Sequence, residues 1–138
     1  MLRQFEATLS LAEAFGHEDV TPLVSRWVSE SGVATGILSL QVVGSTGGIT
    51  TIEYESGALA DLARALEAIA PVDGDYRHNQ RWHDGNGFSH LRSALLGTSL
   101  VVPIKNGGLA LGTWQQIVVL NFDNGPRKRP LVGTILGD

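Results

Sequence analysis

Apolar residues recur in the chain with two different periods. Leu2, Phe5, Leu9 and Leu11 punctuate residues 2–11 in a loose alternation that predicts an edge or half-buried strand. Asp19 or Thr21 can cap a helix with Pro22 in its first turn, and Leu23, Val24, Trp27 and Val28 then fall on one face before Ser31-Gly32 ends it. Residues 36–43 and 48–54 are rich in β-branched side chains and are separated by Gly44-Ser45-Thr46-Gly47, which reads as two strands joined by a hairpin turn. Leu59, Leu62, Ala63, Leu66 and Ile69 return to helical spacing between Ser56 and Ala70, where Pro71 stops the helix.

The next twenty residues hold few aliphatics, a loop long enough to suggest function rather than connection. His90 to Leu96 then reads as a short helix ending at Gly97, and β-rich segments follow at 98–104, 114–122 and 129–136. This order lacks a regular strand-helix alternation. It predicts an α+β fold: one compact domain, residues 1–138, of packed, mostly antiparallel sheets with two main helices and a short third.

Composition narrows the function classes. A chain of 138 residues suits one domain, since domains commonly run to about 100–150 residues. With 43% hydrophobic and 17% charged residues it is globular rather than disordered. The absence of cysteine removes disulfides, thiolate zinc sites and a Cys nucleophile, so any metal falls to His, Asp, Glu or carbonyl oxygen. A net charge of −4 argues against broad nucleic-acid binding, which needs a basic field. Residues 1–6 lack the basic start and apolar core of a signal peptide, and no apolar run approaches the roughly 20 residues of a membrane helix. The expectation is a cytoplasmic protein with no membrane partner.

Candidate chemistry gathers in Tyr76 to His90, where His78, His83 and His90 lie beside Asp84-Gly85-Asn86-Gly87. Imidazole binds zinc-like metals and exchanges protons near neutral pH, and a carboxylate can join the same ion or orient a ring. The glycines permit sharp turns, so His78, Asp84 and His90 can converge. The alternative is a solvated loop whose histidines bond to carbonyls or cap helices. No His-Glu-x-x-His spacing occurs, and a calcium loop starting at Asp84 would place Phe88 and Leu95 where oxygen ligands are required.

Elsewhere, Gly44 to Gly48 can present N–H groups and the Ser45 and Thr46 hydroxyls to a phosphate, but it lacks a P-loop ending. Ser45 is not in a Gly-x-Ser-x-Gly elbow, so a serine nucleophile has no support. Trp114 and Gln115 open an apolar strand, with the indole either core or a stacking surface. Asn124-Gly125-Pro126 precedes Arg127-Lys128-Arg129, which reads either as an exposed hairpin or as an anion clamp.

The ordered set Tyr76-Arg77-His78, Asp84-Gly85-Asn86-Gly87, Ser89-His90-Leu91, Leu96-Gly97, Pro103, Leu111-Gly112-Thr113-Trp114-Gln115 and Pro126-Arg127-x-Arg129 resembles the YjbQ-type family, named for secondary thiamine-phosphate synthase activity. The resemblance covers nearly the whole chain. It implies a homotrimer of compact α+β domains with polar clefts near subunit boundaries. The implied reaction joins hydroxymethylpyrimidine pyrophosphate to thiazole phosphate and releases pyrophosphate, a weak secondary activity that leaves the physiological substrate open.

On that reading His78, Asp84, His90 and Glu53 are catalytic candidates, and His78, Asp84 and His90 would hold a divalent metal, magnesium or zinc. Ser45, Thr46, Asn86, Trp114, Gln115, Arg127 and Arg129 would bind a small phosphorylated metabolite. The family usually carries His-Thr-Ser/Thr-Ala and then Asn-Glu where this chain has Gly44-Ser45-Thr46-Gly47 and Ile52-Glu53. Loss of the histidine at Gly44 motivates a second reading: a non-enzymatic oligomer that binds a metal or phosphometabolite.

Overall fold

The computed structural model describes residues 1–138 and contains eight strands and four helices. Their order is β1 (Leu2–Leu11), β2 (Gly16–Asp19), α1 (Thr21–Ser31), β3 (Thr35–Val42), β4 (Gly47–Ile52), α2 (Ser56–Ile69), α3 (Arg77–Trp82), α4 (Gly87–Leu96), β5 (Ser99–Lys105), β6 (Gly108–Leu109), β7 (Gln116–Asn121) and β8 (Arg127–Gly137). The α+β expectation holds. No helix is long and apolar enough to cross a membrane.

Two antiparallel sheets form, one ordered β1-β8-β3-β5-β6 and the other β2-β7-β4. Period-two alternation on β3 sends Leu38, Leu40 and Val42 inward, where they meet Leu131 and Ile135 of β8 and Val102 and Ile104 of β5. From the second sheet Ile49, Ile117 and Val119 close this core, and α1 adds Val24, Trp27 and Val28. Strand β7 is buried on both faces. Its alternate residues Val118 and Leu120 pack with Leu66 of α2, Phe122 and Leu96 of α4, which explains its unbroken apolar run.

Several expectations change. The helix beginning at Thr21 has Val20 as its N-cap without a side-chain cap; Asp19 accepts from the Thr21 N–H at 2.9 Å, while the Thr21 hydroxyl accepts from the Ile117 N–H at 2.8 Å. The polar loop contains α3, and α4 starts three residues before His90. Trp114 and Gln115 precede β7 rather than lying in it.

The largest correction concerns the two supposed hairpins. Strands β3 and β4 belong to different sheets, as do β7 and β8, so Gly44–Thr46 and Phe122–Pro126 are crossings from one sheet to the other. A Gly-rich gap between two β-rich runs looks the same in either case, because sheet membership is decided by distant partners. Both crossings lie at the same end of the molecule, as the register Gly47 opposite Asn121 requires.

Gly133 shows how closely the core is fitted. It stands opposite Phe5 and Leu40, and a Cβ there would lie 2.7 and 2.8 Å from two ring carbons of Trp27, which stacks on Phe5 with centroids 5.6 Å apart. Gly133→Ala is expected to cost about 1–3 kcal/mol by overpacking, read from urea unfolding. An unchanged midpoint would contradict this packing.

Candidate functional site

The two crossings are bound together by one polar network. Thr46 is buried at the end of the first crossing, and its carbonyl accepts from the Phe122 N–H at 2.9 Å. Its hydroxyl donates to Asp123 Oδ2 at 2.9 Å and accepts from Arg129 Nη2 at 2.5 Å. The same Nη2 donates to Asn121 Oδ1 at 2.5 Å, while Asn121 Nδ2 donates to the carbonyls of Ala12 and Gly125. Asp123, only 4% exposed, also accepts from the Asn124 N–H at 2.8 Å and faces Arg127 Nε at 3.3 Å.

These partners set the electrostatics. Desolvation alone would raise the Asp123 pKa, but hydrogen bonds from Thr46 and Asn124, with the nearby Arg127 charge, outweigh it and hold the carboxyl below its ordinary 3.8. Burial draws the Arg129 pKa down from its usual value; Asp123 opposes the fall and Arg127 adds to it.

The histidine segment docks on this network. Asn79 Oδ1 accepts from the Gly87 N–H at 2.8 Å, tying α3 to the start of α4. That fold-back brings the rings of His78 and His90 together, with centroids 4.3 Å apart and planes tilted by 40°. His78 Nδ1 lies 3.4 Å from Asp84 Oδ1. The buried Asn86 amide sits between two carboxylates, and we favour the orientation donating to Asp84 at 2.9 and 3.1 Å over a 3.4 Å contact with Asp123. Asn124 Nδ2 donates to the Asp84 carbonyl at 2.9 Å.

Beside the network is an open polar cleft of about 370 Å³, lined by Gly44, Ser45, His90, Ser93, Ala94, Gly97 and Thr98. The structure therefore brings together His78, Asp84, His90, Asn86, Ser45, Thr46, Arg127 and Arg129. Glu53, Trp114 and Gln115 stand at the opposite end of the β4–β7 ladder, which runs from Gly47 opposite Asn121 to Ile52 opposite Gln116. Five residues of strand put them roughly 17 Å away within the same chain. Trp114 is 71% exposed, and Gln115 braces its own loop through Thr51 Oγ1 and the Gly112 N–H, each at 3.1 Å.

No three His, Asp or Glu side chains are placed to hold a metal ion. His78, Asp84 and His90 are neighbours, but the tilted ring contact and the His78–Asp84 approach are not a ligand arrangement, so the expected metal set does not fit this geometry. Sequence reasoning also missed Asn121 and Asp123. Their one signal is two polar residues flanking Phe122 just after an apolar strand, a pattern usually read as solvated.

The family whose model matches residues 6–138 is described as UPF0047 protein, YjbQ-like. The chain belongs to this family. This YjbQ-like chain is 43% identical over 119 residues to a UPF0047 protein of Methanothermobacter thermautotrophicus, covering 86% of this chain and 81% of that one. A UPF0047 protein of Archaeoglobus fulgidus is 37% identical, with 92% and 96% covered. Among solved structures, a YbjQ-like protein of unknown function from Sulfolobus solfataricus superposes with a TM-score of 0.94 at 30% identity, covering 100% and 99%. A YjbQ/UPF0047 protein from Clostridium acetobutylicum gives 0.87 at 35%, covering 96% and 99%.

Asp123→Asn is expected to cost about 1–3 kcal/mol at neutral pH by weakening the support of Thr46, Asn124 and Arg127. Because the folded carboxyl titrates below 3.8, its contribution is present above that value and is lost as pH falls through the folded pKa. The difference between wild-type and variant denaturation midpoints should thus narrow in strong acid; a difference independent of pH would contradict the assignment.

Proposed function

We propose that the cleft carries out a cytoplasmic group transfer of the thiamine-phosphate synthase type, joining hydroxymethylpyrimidine pyrophosphate to thiazole phosphate. The observation that carries this reading is the His78–His90 pair, beside Asp84, at a polar cleft whose Gly44 lies against Arg129, with Arg127 behind it on Asp123. Its volume of about 370 Å³ lies at the small end of the range for metabolite sites.

In the proposed step the thiazole nitrogen attacks the pyrimidine methylene carbon as the carbon–oxygen bond to pyrophosphate breaks. The bond's electron pair leaves on oxygen. Arg129 and Arg127 offset the charge that develops there, and His90 supplies a proton to the departing pyrophosphate. The Asp84 carboxylate, 3.4 Å from a His78 Nδ1 that has no hydrogen-bond partner, places negative charge beside the ring that packs against His90. The proposed assembly is a trimer. An exposed apolar row across the large sheet, formed by Leu2, Leu136, Ile37 and Pro103 in register, supports self-association.

A second reading, a phosphometabolite-binding oligomer without turnover, is favoured by Gly44. Its φ of +139° is one that a side-chain-bearing residue rarely adopts, so the histidine usual in the family has no counterpart on this backbone.

Purified protein given both precursors should form thiamine phosphate, with His90→Ala reducing the rate by about 100-fold or more. No product above a His78→Ala/His90→Ala double variant would end the transferase reading.

A further inference from the structure

The chain buries two arginines and treats them differently. Arg92, 4% exposed, is neutralised by Glu67 at 2.6 Å and donates Nε to the Ala70 carbonyl at 2.9 Å. Arg129, 5% exposed, has no carboxylate within ion-pair distance: the four ion pairs are Arg64–Asp61, His78–Asp84, Arg92–Glu67 and Arg127–Asp123. Its Nη2 is spent on the neutral oxygens of Thr46 and Asn121, and its buried Nε has no acceptor. A buried charge without a counter-charge is expensive, and the nearest carboxylate, Asp123, is already shared among Thr46, Asn124 and Arg127.

Glycines let the first crossing lie directly against this guanidinium, and at exposed Gly44 no side chain covers Nη1. A Cβ on Gly44 would stand 2.8 Å from Nη1, and one on Gly47 would stand 3.1 Å from Nε. Gly44 is exposed and lines the cleft with Ser45, His90 and Thr98. Thr98 Oγ1 accepts from Gln41 Nε2 at 3.0 Å, which leaves its proton free to donate.

We propose that Gly44 is a window through which the terminal phosphate of a phosphate monoester reaches Arg129, with the Ser45 and Thr98 hydroxyls and the His90 ring as further donors. The inference rests on the reading of the cleft as a phosphometabolite site and deepens it, by naming the group recognised and the residue that admits it. Donors approaching from several directions suit a tetrahedral dianion better than a planar carboxylate, and a guanidinium is the side chain best matched to phosphate oxygens. In this chain the missing side chain at position 44 is thus what opens the anion's path.

The test is calorimetric titration with inorganic phosphate, phenyl phosphate and benzoate, using full-length protein whose folding is checked by thermal unfolding. Saturable binding of both phosphates at one site per chain is expected, with benzoate at least about 10-fold weaker. Ser45→Ala should weaken phosphate about fivefold, and Gly44→Ala, which occludes Nη1 and also strains the φ +139° turn, by about 10-fold or more, with unchanged thermal unfolding required before its loss is read as occlusion. Lys128→Ala, removing an exposed neighbouring cation, should change binding less than twofold.

Absence of phosphate binding would overturn the proposal. So would affinities unchanged in both Gly44→Ala and Ser45→Ala, or lost equally in Lys128→Ala, or benzoate binding as tightly as phosphate. Window-dependent phosphate binding without formation of thiamine phosphate would keep this inference and end the transferase reading. Formation of product with no dependence on Gly44 or Ser45 would do the reverse.

Discussion

One constraint organises this end of the molecule: two chain crossings between sheets must run side by side, and a buried guanidinium fills the space between them. Backbone leaving β3 and β7 cannot complete its hydrogen bonds within either sheet, so the loops satisfy each other through the Thr46 carbonyl, Asp123 and Asn121. Arg129 enters from β8 and binds both loops at once through Thr46 and Asn121. The same charge that joins the crossings has no carboxylate within ion-pair distance and meets the Asp123 carboxylate only through the Thr46 hydroxyl. Structure and candidate function thus draw on one side chain.

The histidine segment is positioned by the same scaffold. Asn124 ties the Asp84 turn to the second crossing, Asn86 braces the Asp84 carboxylate within that turn, and α4 then carries His90 to the cleft wall. The bonds from Asn79 to Gly87 and from Asn124 to Asp84 are short, at 2.8 and 2.9 Å, and tie the histidine segment to regular elements at several points. The arrangement suits proton transfer and anion recognition. It is not set for three-ligand metal coordination.

Much of the fold was legible because burial imposes a period. The alternation along β3 and the helical spacing from Leu59 to Leu66 report which face meets the core, and both survive in the structure, whereas Ile69 at the end of that spacing is exposed. The crossings were not legible, since nothing local in Gly44–Gly47 distinguishes a hairpin from a step between sheets. Strand β2 was missed because Gly-His-Glu-Asp has no apolar pattern; it is held by backbone pairing with β7. Of the candidate site, the histidines and arginines were visible as residue types. The burial of Arg129 and Asp123 was not, because exposure depends on contacts between residues about eighty apart in sequence, such as Arg129 with Thr46. Trp114 and Gln115 belong to the same ordered motif as the histidines and Glu53 matches the family's Asn-Glu position, yet the length of the β4–β7 ladder separates all three from the histidines in space.

In the proposed role, Arg129 is a buried cation awaiting an anion at the Gly44 opening. Nitrogen-edited proton NMR of the arginine Nε–H groups tests it most directly, with Arg92 as the already neutralised reference in the same chain. On addition of phenyl phosphate the Arg129 resonance should shift and exchange more slowly with water, while that of Arg92 stays in place. An Arg129 resonance indifferent to phosphate, or one that moves together with the exposed arginines, would contradict the account.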